Sequence, residues 1–476
     1  MTAAAAADRK YFNDAVARLL VPVMDQARAG RLSEAIDACR AIVRKHPHLP
    51  NARGLLGALY EQAERIDDAI SAMESAIAGV PGGARGANFF GWHKNLIILY
   101  ARQGRRDRAV SAARRCADCN PGDAAALAQF ALALLLNGEP DRAEEQYSLA
   151  LAADPNFFEA ARGLAMARLN KGDLMRGAGG ISTLSPSDLA LRRMVQSHKL
   201  NLRGPAWDGA HIPNGTLYLV SDLGRGDIIQ GARYLPLIRE RVPHIIFGCF
   251  PELTPLLRCR PEIARFVSID DPPPSHDAWL LWSDVAAVFA EAAFDTLLRV
   301  PYLTPPPALV AEWKTRLDGL VKPGFRVGIT WAGDPANEND RHRSVRPQSF
   351  APVLAVPGVQ FIGIQKRCIP EDRAYAAQVG LPVLSDELES FADTAAVMAN
   401  LDLIISVDAS VCHVAGATGR PTWTLLFDPP EWRWLVGRQD TPWYPTMRLF
   451  RQPRPGAWAP VFESVAKALA ERVAAT

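Results

Sequence analysis

No stretch of this chain carries the ~20 consecutive apolar residues that a bilayer-crossing helix needs, so an integral membrane protein is not expected. The amino terminus is rich in alanine but lacks the basic segment and apolar run of a secretory leader. An excess of one charge is missing too. Fifty-three Lys and Arg stand against 51 Asp and Glu, and the net +2 gives no general pull toward nucleic acid or acidic membranes. Cysteines number seven, scattered and odd, which argues against a disulfide framework and fits a reducing, cytoplasmic compartment. The pair Cys116-x-x-Cys119 has no second CxxC and no nearby His pair, so neither a zinc nor a redox centre is expected there.

What is present is an ordinary globular composition, 49% hydrophobic and 22% charged, over 476 residues. At about 150 residues per domain, roughly three domains are expected. The first third repeats. Prolines at 47, 81, 121 and 155 are separated by 34, 40 and 34 residues, and each follows by twelve residues an alanine at 35, 69, 109 or 143. A 34-residue period marks tetratricopeptide repeats, helix pairs whose small residues allow close packing and whose aromatics fill the gap. The second repeat shows Leu56, Gly57 and Tyr60 on its first helix and Ala69 and Ala76 on its second, ending at Pro81. The third absorbs six extra residues in the Gly-rich turn Pro81–Ala87, and Phe158–Leu169 reads as a closing helix. The pattern sends Ile98, Ala101, Leu132, Leu135 and Leu136 to the concave face, where an apolar groove would receive an amphipathic helix. Packing between neighbouring repeats is the alternative account of the same leucines.

From about residue 214 the pattern changes to alternating strands and helices, which implies parallel sheets. Strands are expected at Thr216–Val220, Ile245–Cys249, Phe325–Thr330, Val359–Gln365, Leu403–Val407 and Thr422–Leu426, with a helix over Ile228–Glu240 and another starting at Pro251. The alternation fades through the Pro-rich stretch 272–307. Two Rossmann-like lobes with a cleft between them follow. The expected division is 1–180 for the repeats, 181–213 for a helical linker, 214–318 for the first lobe and 319–476 for the second.

The most telling segment is Leu401–Leu426. Its buried strand ends at Asp408-Ala409-Ser410, where a short polar side chain can cap a helix over Val411–Ala417 before Gly419 and Pro421 stop it. The unpaired N–H groups opening such a helix at a sheet's carboxyl edge suit a phosphate. This segment resembles that of ADP-heptose-type glycosyltransferases, which run strand, Asp-x-Gly-x-x-His, helix, Gly-x-Pro, strand, with Ser410 standing where the family has Gly and His413 in the His place. The whole span 205–455 resembles the carboxyl-terminal domains of bacterial tetratricopeptide glycosyltransferases of GT-B fold, related to heptosyltransferases and O-linked N-acetylglucosamine transferases. The matching pieces are Gly224-Arg225-Gly226-Asp227-x-x-Gln230-x-x-Arg233-Tyr234-Leu235-Pro236, Thr330-Trp331-Ala332-Gly333, Arg341-x-Arg343-Ser344, Ile364-Gln365-Lys366, the Asp408 turn, Glu431-Trp432-Arg433-Trp434 and Asp440-x-Pro442-Trp443-Tyr444-Pro445. Ser221-Asp222 and Arg225 depart from the closer relatives, which have Glu-Gln and Leu.

Sugar transfer needs a base for the acceptor hydroxyl and positive charge for the departing phosphate. The resemblance places the base at Asp227, a residue that also reads as a helix N-cap. Arg341, Arg343 and Lys366 would meet the phosphate, with Trp331 and Gly333 beneath it, Gln365 on the nucleotide, and Asp408, Ala409, Ser410, Val411 and His413 around the helix start. Trp434 and Tyr444 are candidates for stacking on base or sugar, against core packing as their alternative. Metal-ligand spacing and a clustered Asp-x-Asp are absent from these segments, and metal-independent, inverting transfer is what the resemblance implies. The expected function is protein O-glycosylation from a nucleotide-sugar co-substrate, without other cofactors, onto Ser or Thr of an acceptor protein docked by the repeats; some members of the resembling group modify flagellins. An inactive scaffold and a lipopolysaccharide sugar transferase are the alternatives.

Overall fold

The computed structural model describes residues 14–80, 87–173, 176–177, 202, 204–289, 298–337 and 340–475. Most of the expected linker over 181–213, and all of the turn Pro81–Ala87 except Ala87, fall outside them. The chain forms two compact units, Met1–Lys171 and Gly172–Thr476.

In the first unit the described residues form nine helices: α1 (Asp14–Arg28), α2 (Leu32–Lys45), α3 (Pro50–Gln62), α4 (Ile66–Ala78), α5 (Ala87–Arg102), α6 (Arg106–Cys119), α7 (Ala124–Leu136), α8 (Pro140–Ala153) and α9 (Phe158–Lys171). Ala35, Ala69, Ala109 and Ala143 are at most 1% exposed and bring the paired helices together. Gly163 does the same on α9, where a Cβ would lie 2.2 Å from the Tyr147 ring. The turn joining each pair takes one left-handed residue, at Gly30, Glu64, Gly104 and Gly138, spaced by the same 34, 40 and 34 residues as the prolines. Glu64, with φ 56°, is the non-glycine of this series. Ile98, Leu132, Leu135 and Leu136 are half-buried, while Ala101 is buried and offers nothing to a groove.

The second unit holds two parallel sheets. The first has the order β3-β2-β1-β4, from β1 (Thr216–Val220), β2 (His244–Cys249), β3 (Ile263–Ser268) and β4 (Ala278–Leu281). The second has the order β6-β5-β7-β8-β9, from β5 (Phe325–Thr330), β6 (Val359–Gly363), β7 (Leu403–Val407), β8 (Thr422–Leu426) and β9 (Met447–Arg451). β7 and β8 are buried at every position; β7 is apolar except for Ser406, while β8 buries Thr422 and Thr424 among its apolar residues. β3, β4 and β9 were not expected.

The single helix expected over Ile228–Glu240 is instead α10 (Arg225–Gly231), one tight turn, and α11 (Leu235–Arg241). Pro236, in the first turn of α11, has no N–H to continue the ladder. At Gly231 a Cβ would approach the Trp282 ring to 2.6 Å. Likewise Pro251 opens a turn, with the helical residues beginning at Thr254. α12 (Pro307–Leu320), α13 (Phe391–Ala399), α14 (Ser410–Ala417) and α15 (Ala459–Ala474) complete the elements used below. One apolar core runs through both lobes, from Leu217, Leu219, Ile228 and Leu235 to Ile404, Val411 and Val414. Burying each such side chain contributes about 1.5–3 kcal/mol. Backbone bonds from Tyr302 N–H to the Ala417 carbonyl (3.0 Å) and from Phe391 N–H to the Glu252 carbonyl (3.0 Å) tie the lobes as well.

A Cβ at Gly138 would meet nothing within 4 Å, so its φ of +79° alone sets the cost of a side chain. Gly138→Ala is expected to lower stability by about 1–2 kcal/mol in urea unfolding, and Glu64→Gly to raise it despite losing the Arg102 ion pair. Equal midpoints for all three proteins would contradict this.

Candidate functional site

Strand order places the chemistry. In the second sheet β6 lies on one side of β5 and β7 on the other, so the loops leaving β5 and β7 diverge at their carboxyl ends. In the first sheet the same split falls between β1 and β4. The loops at these splits carry Trp331–Arg343, Asp408–Ser410 and Ser221–Asp227.

The lobes meet at these loops. α10 lies on α14 through Gly226, where a Cβ would stand 2.8 Å from His413 Cδ2 and 3.5 Å from Ser410 Cα. Asp227, in the first turn of α10, does not cap it; Gly224 occupies the N-cap. Its backbone carbonyl accepts the Trp282 indole N–H at 3.2 Å, and its carboxylate Oδ1 lies 2.5 Å from Arg433 Nη2 of the other lobe. Arg433 sits in a single turn, Trp432–Trp434, closed by Leu435 at φ 54°. Its side chain is 15% exposed, and its Nε–H is buried without a partner among the described residues. Burial disfavours the guanidinium charge, yet Asp227, Glu431 and Asp408 together hold it more firmly protonated than usual.

The helix start differs from expectation. α14 begins at Ser410, its N-cap is Ala409, and no side chain caps it. Asp408 is turned to other work: its Oδ2 accepts the Trp434 indole N–H at 2.8 Å. Burial pushes its carboxyl up to about 6; Arg433 opposes this, Glu431 adds to it, and the Trp434 bond and Arg343 oppose it. His413 is buried, with Nδ1 2.9 Å from the Tyr444 hydroxyl and its ring stacked on Trp434 at 5.5 Å. Burial drives the imidazole well below its ordinary range, and Arg433, Arg233 and Arg343 push the same way, so it is neutral.

Trp434 and Tyr444 are fully buried, so the expected stacking on base or sugar is corrected: their faces belong to the core around His413. Trp331 is also fully buried, its indole N–H on Asp372 at 3.0 Å. Gln365, expected on the nucleotide, is committed to the β5 loop, accepting the Trp331 and Ala332 N–H groups at 3.1 and 3.0 Å and donating to the Ala332 carbonyl at 3.1 Å. Gly333 has no Cβ because one would collide with Asp340 at 2.6 Å and Arg343 at 2.8 Å. Arg343 lies there against Asp340 (3.3 Å), close enough to act on Asp408 and His413. Arg341 lines a cavity of about 320 Å³ with His342, Phe427, Asp428 and Trp458. Lys366 is exposed and its Nζ donates to the Leu388 carbonyl. Asp222, one of the departures from the resembling group, accepts both the Ser283 N–H and hydroxyl, at 3.0 and 2.6 Å.

Two arginines that sequence reasoning gave no role stand out. Arg433 is one. Arg233 is the other, buried, its Nη2 donating to the Tyr302 hydroxyl (3.1 Å) and the Trp443 carbonyl (3.3 Å), which pins the first lobe to the second. Both lie in motifs already quoted for the resemblance, but a charge flanked by tryptophans gives no signal of which partner it meets.

The turn also gathers donor atoms of Asp408, Cys412 and His413 within 4.8 Å, though no ligand spacing marked them in the sequence. Cys412 donates to the Ala409 carbonyl at 2.9 Å, and the other two are engaged as above. With Arg343 and Arg433 facing the same turn, a divalent cation fits poorly.

These features define the class: a tetratricopeptide array followed by an α/β unit of two Rossmann-like lobes in a GT-B-like arrangement. The tetratricopeptide repeat family model matches residues 23–84 and 94–156. Protein FlbA of Caulobacter vibrioides is 26% identical over 458 residues, spanning 82% of this chain and 73% of that protein. Among solved structures, a thermophilic tetratricopeptide protein of Thermus thermophilus is 23% identical, covering 38% of this chain and 96% of its own, with a TM-score of 0.31. A glycosyl transferase family 9 structure from Veillonella parvula is 12% identical, covering 56% of this chain and 100% of its own, with a TM-score of 0.40.

Because the fold raises the Asp408 pKa above the unfolded value of 3.8, the wild type loses stability as pH rises from about 4 to about 6. Asp408→Asn, which keeps an acceptor for Trp434, is expected to match the wild type near pH 4 and exceed it by roughly 1–3 kcal/mol above pH 7. Denaturant melts at the two pH values check this; a gap that does not widen with pH contradicts it.

Proposed function

We propose that the chain is an inverting, metal-independent protein O-glycosyltransferase that moves a sugar from a nucleotide-sugar donor to Ser or Thr of an acceptor protein captured by its repeats. The observation that carries this reading is the meeting of Asp227, from the first lobe, with Arg433 of the second, beside the turn that carries Asp408 and His413. A carboxylate on one lobe and cations beside a helix N-terminus on the other are the two charges that glycosyl transfer separates. The donor's phosphate would lie against Ser410 and Val411 with Arg343 as counter-charge, and Asp227 would take the acceptor's proton. Lys366 and Arg341 are the outer cations of the same reading.

Tetratricopeptide repeats bind peptides or proteins, and the half-buried Leu132, Leu135, Leu136 and Ile98 would receive an apolar helix face of the acceptor. Flagellin is the acceptor we favour, in line with the group the sequence resembles. Seven free thiols suit a cytoplasmic enzyme. Among the described residues no helix is long and apolar enough to cross a membrane.

A thermal-shift panel of UDP, GDP, ADP, CDP and CMP tests the donor site. A ligand at 100 times its dissociation constant stabilises by about 2.7 kcal/mol. Arg343→Ala is expected to melt slightly lower when free, since Asp340 loses its ion pair and keeps the Ser344 hydroxyl, and to lose the ligand's increment. A retained increment would remove Arg343 from the site. With the matching nucleotide sugar, Asp227→Ala should cut donor turnover by about 10²–10⁴-fold; full turnover would remove the base, and no turnover in the wild type would favour the scaffold reading. Leu132→Asp should weaken acceptor capture in a pull-down with flagellin, and undiminished capture would move the acceptor off this face.

A further inference from the structure

The base of the proposed reaction is not free. Its Oδ1 is held at 2.5 Å by Arg433, and the pair crosses from one lobe to the other. Asp227 is 28% exposed and Arg433 15%, so solvent screens the pair only in part. Arg433 is the richer partner in unused capacity. Its Nε–H has no acceptor among the described residues although it is buried, and removing a donor from water without pairing it is costly. Around it, Glu431 and Asp408 add negative charge, and Trp432 lies 5.5 Å away beneath the cation. A buried guanidinium with a vacant N–H, next to a helix N-terminus and a second arginine, is suited to an anion with several acceptor oxygens. A phosphate, which a guanidinium grips through two parallel bonds, satisfies it better than one carboxylate oxygen does.

We infer that Arg433 is a shared cation, held by Asp227 when the donor site is vacant and by the donor's phosphate when it is filled, so that donor binding is what releases the base. This rests on the proposed function and adds to it an order: nucleotide sugar first, acceptor second. In the step that follows, the acceptor oxygen bonds to the anomeric carbon and its proton passes to the released Asp227 carboxylate. The bond from the anomeric carbon to the phosphate oxygen breaks, its electron pair stays on that oxygen, and Arg433 and Arg343 neutralise the charge. The closed pair keeps the base occupied when no donor is present.

A shared cation has a consequence that a simple base lacks. If Asp227 competes with phosphate for Arg433, removing its charge strengthens nucleotide binding. Titration calorimetry with UDP, GDP, ADP, CDP and CMP on the full chain reads this directly. Asp227→Asn, nearly isosteric, is expected to bind the preferred nucleotide about 3–30-fold more tightly than wild type, and Asp227→Ala serves as the second variant should the amide find its own bond to Arg433. Arg433→Lys, which keeps charge but not the fork, should bind at least about 5-fold more weakly. Adding Asp227→Asn to Arg433→Lys should recover much less than it gains alone. Unchanged or weaker binding in both Asp227 variants overturns the inference, as does an equal gain in the double variant. Binding that Arg343→Ala abolishes and the Asp227 variants leave unmoved overturns this inference alone, whereas a wild type that binds none of the five nucleotides overturns the proposed function with it.

Discussion

The approach of α10 to α14 at Gly226 is the constraint on which the rest depends. Any side chain at that position would enter His413, so the two lobes close here only because one backbone can touch the other's helix start. That contact sets Asp227 one residue further on, at the distance where Arg433 reaches it. Arg233 fastens the same junction from beneath, and the shared core makes the two sheets one folding unit. Ion pairs taken out of water are a poor source of stability. The Asp227–Arg433 pair is better understood by what it holds in place than by what it contributes to folding.

Around this junction the electrostatics are divided by loop. The loop after β5 carries Arg343, the loop after β8 carries Arg433, and the turn after β7 between them carries Asp408 and the start of α14. Asp408 bonded to Trp434 and His413 bonded to Tyr444 form a buried brace under that helix start. The residues that sequence motifs present as ligand contacts thus split into two sets. Arg343, Ser410 and Val411 lie at the opening of the turn, while Asp408, His413, Trp434 and Tyr444 hold the turn itself. Trp331 and Gln365 brace the β5 loop in the same way.

What sequence reasoning reaches follows from burial. β1, β5, β7 and β8 were legible at their ends because central parallel strands are apolar on both faces. β3 was not, since only the first residue of Ile263–Ser268 is buried. β4 lay hidden in a proline-rich stretch, and β9 follows a tryptophan-rich run that gives no strand period. The repeats were legible because prolines and close-packed alanines recur at the helix-pair period, and the structure adds a left-handed turn residue that recurs with them. Function was legible only as composition of a site. Asp227 and the Asp408 turn could be found from their places after strands, but whether a tryptophan stacks on a ligand or on His413, and whether an arginine between tryptophans meets solvent or a carboxylate across a cleft, depends on three-dimensional neighbours that no spacing encodes.

A crystal structure of the chain with its preferred nucleotide bound tests the central claim most directly. The phosphate should rest against the backbone of Ser410 and Val411, with the Arg433 guanidinium turned onto it and away from Asp227. A nucleotide seated elsewhere, such as in the basic cavity lined by Arg448, Arg451 and Lys467, with the Asp227–Arg433 pair still closed, would contradict it.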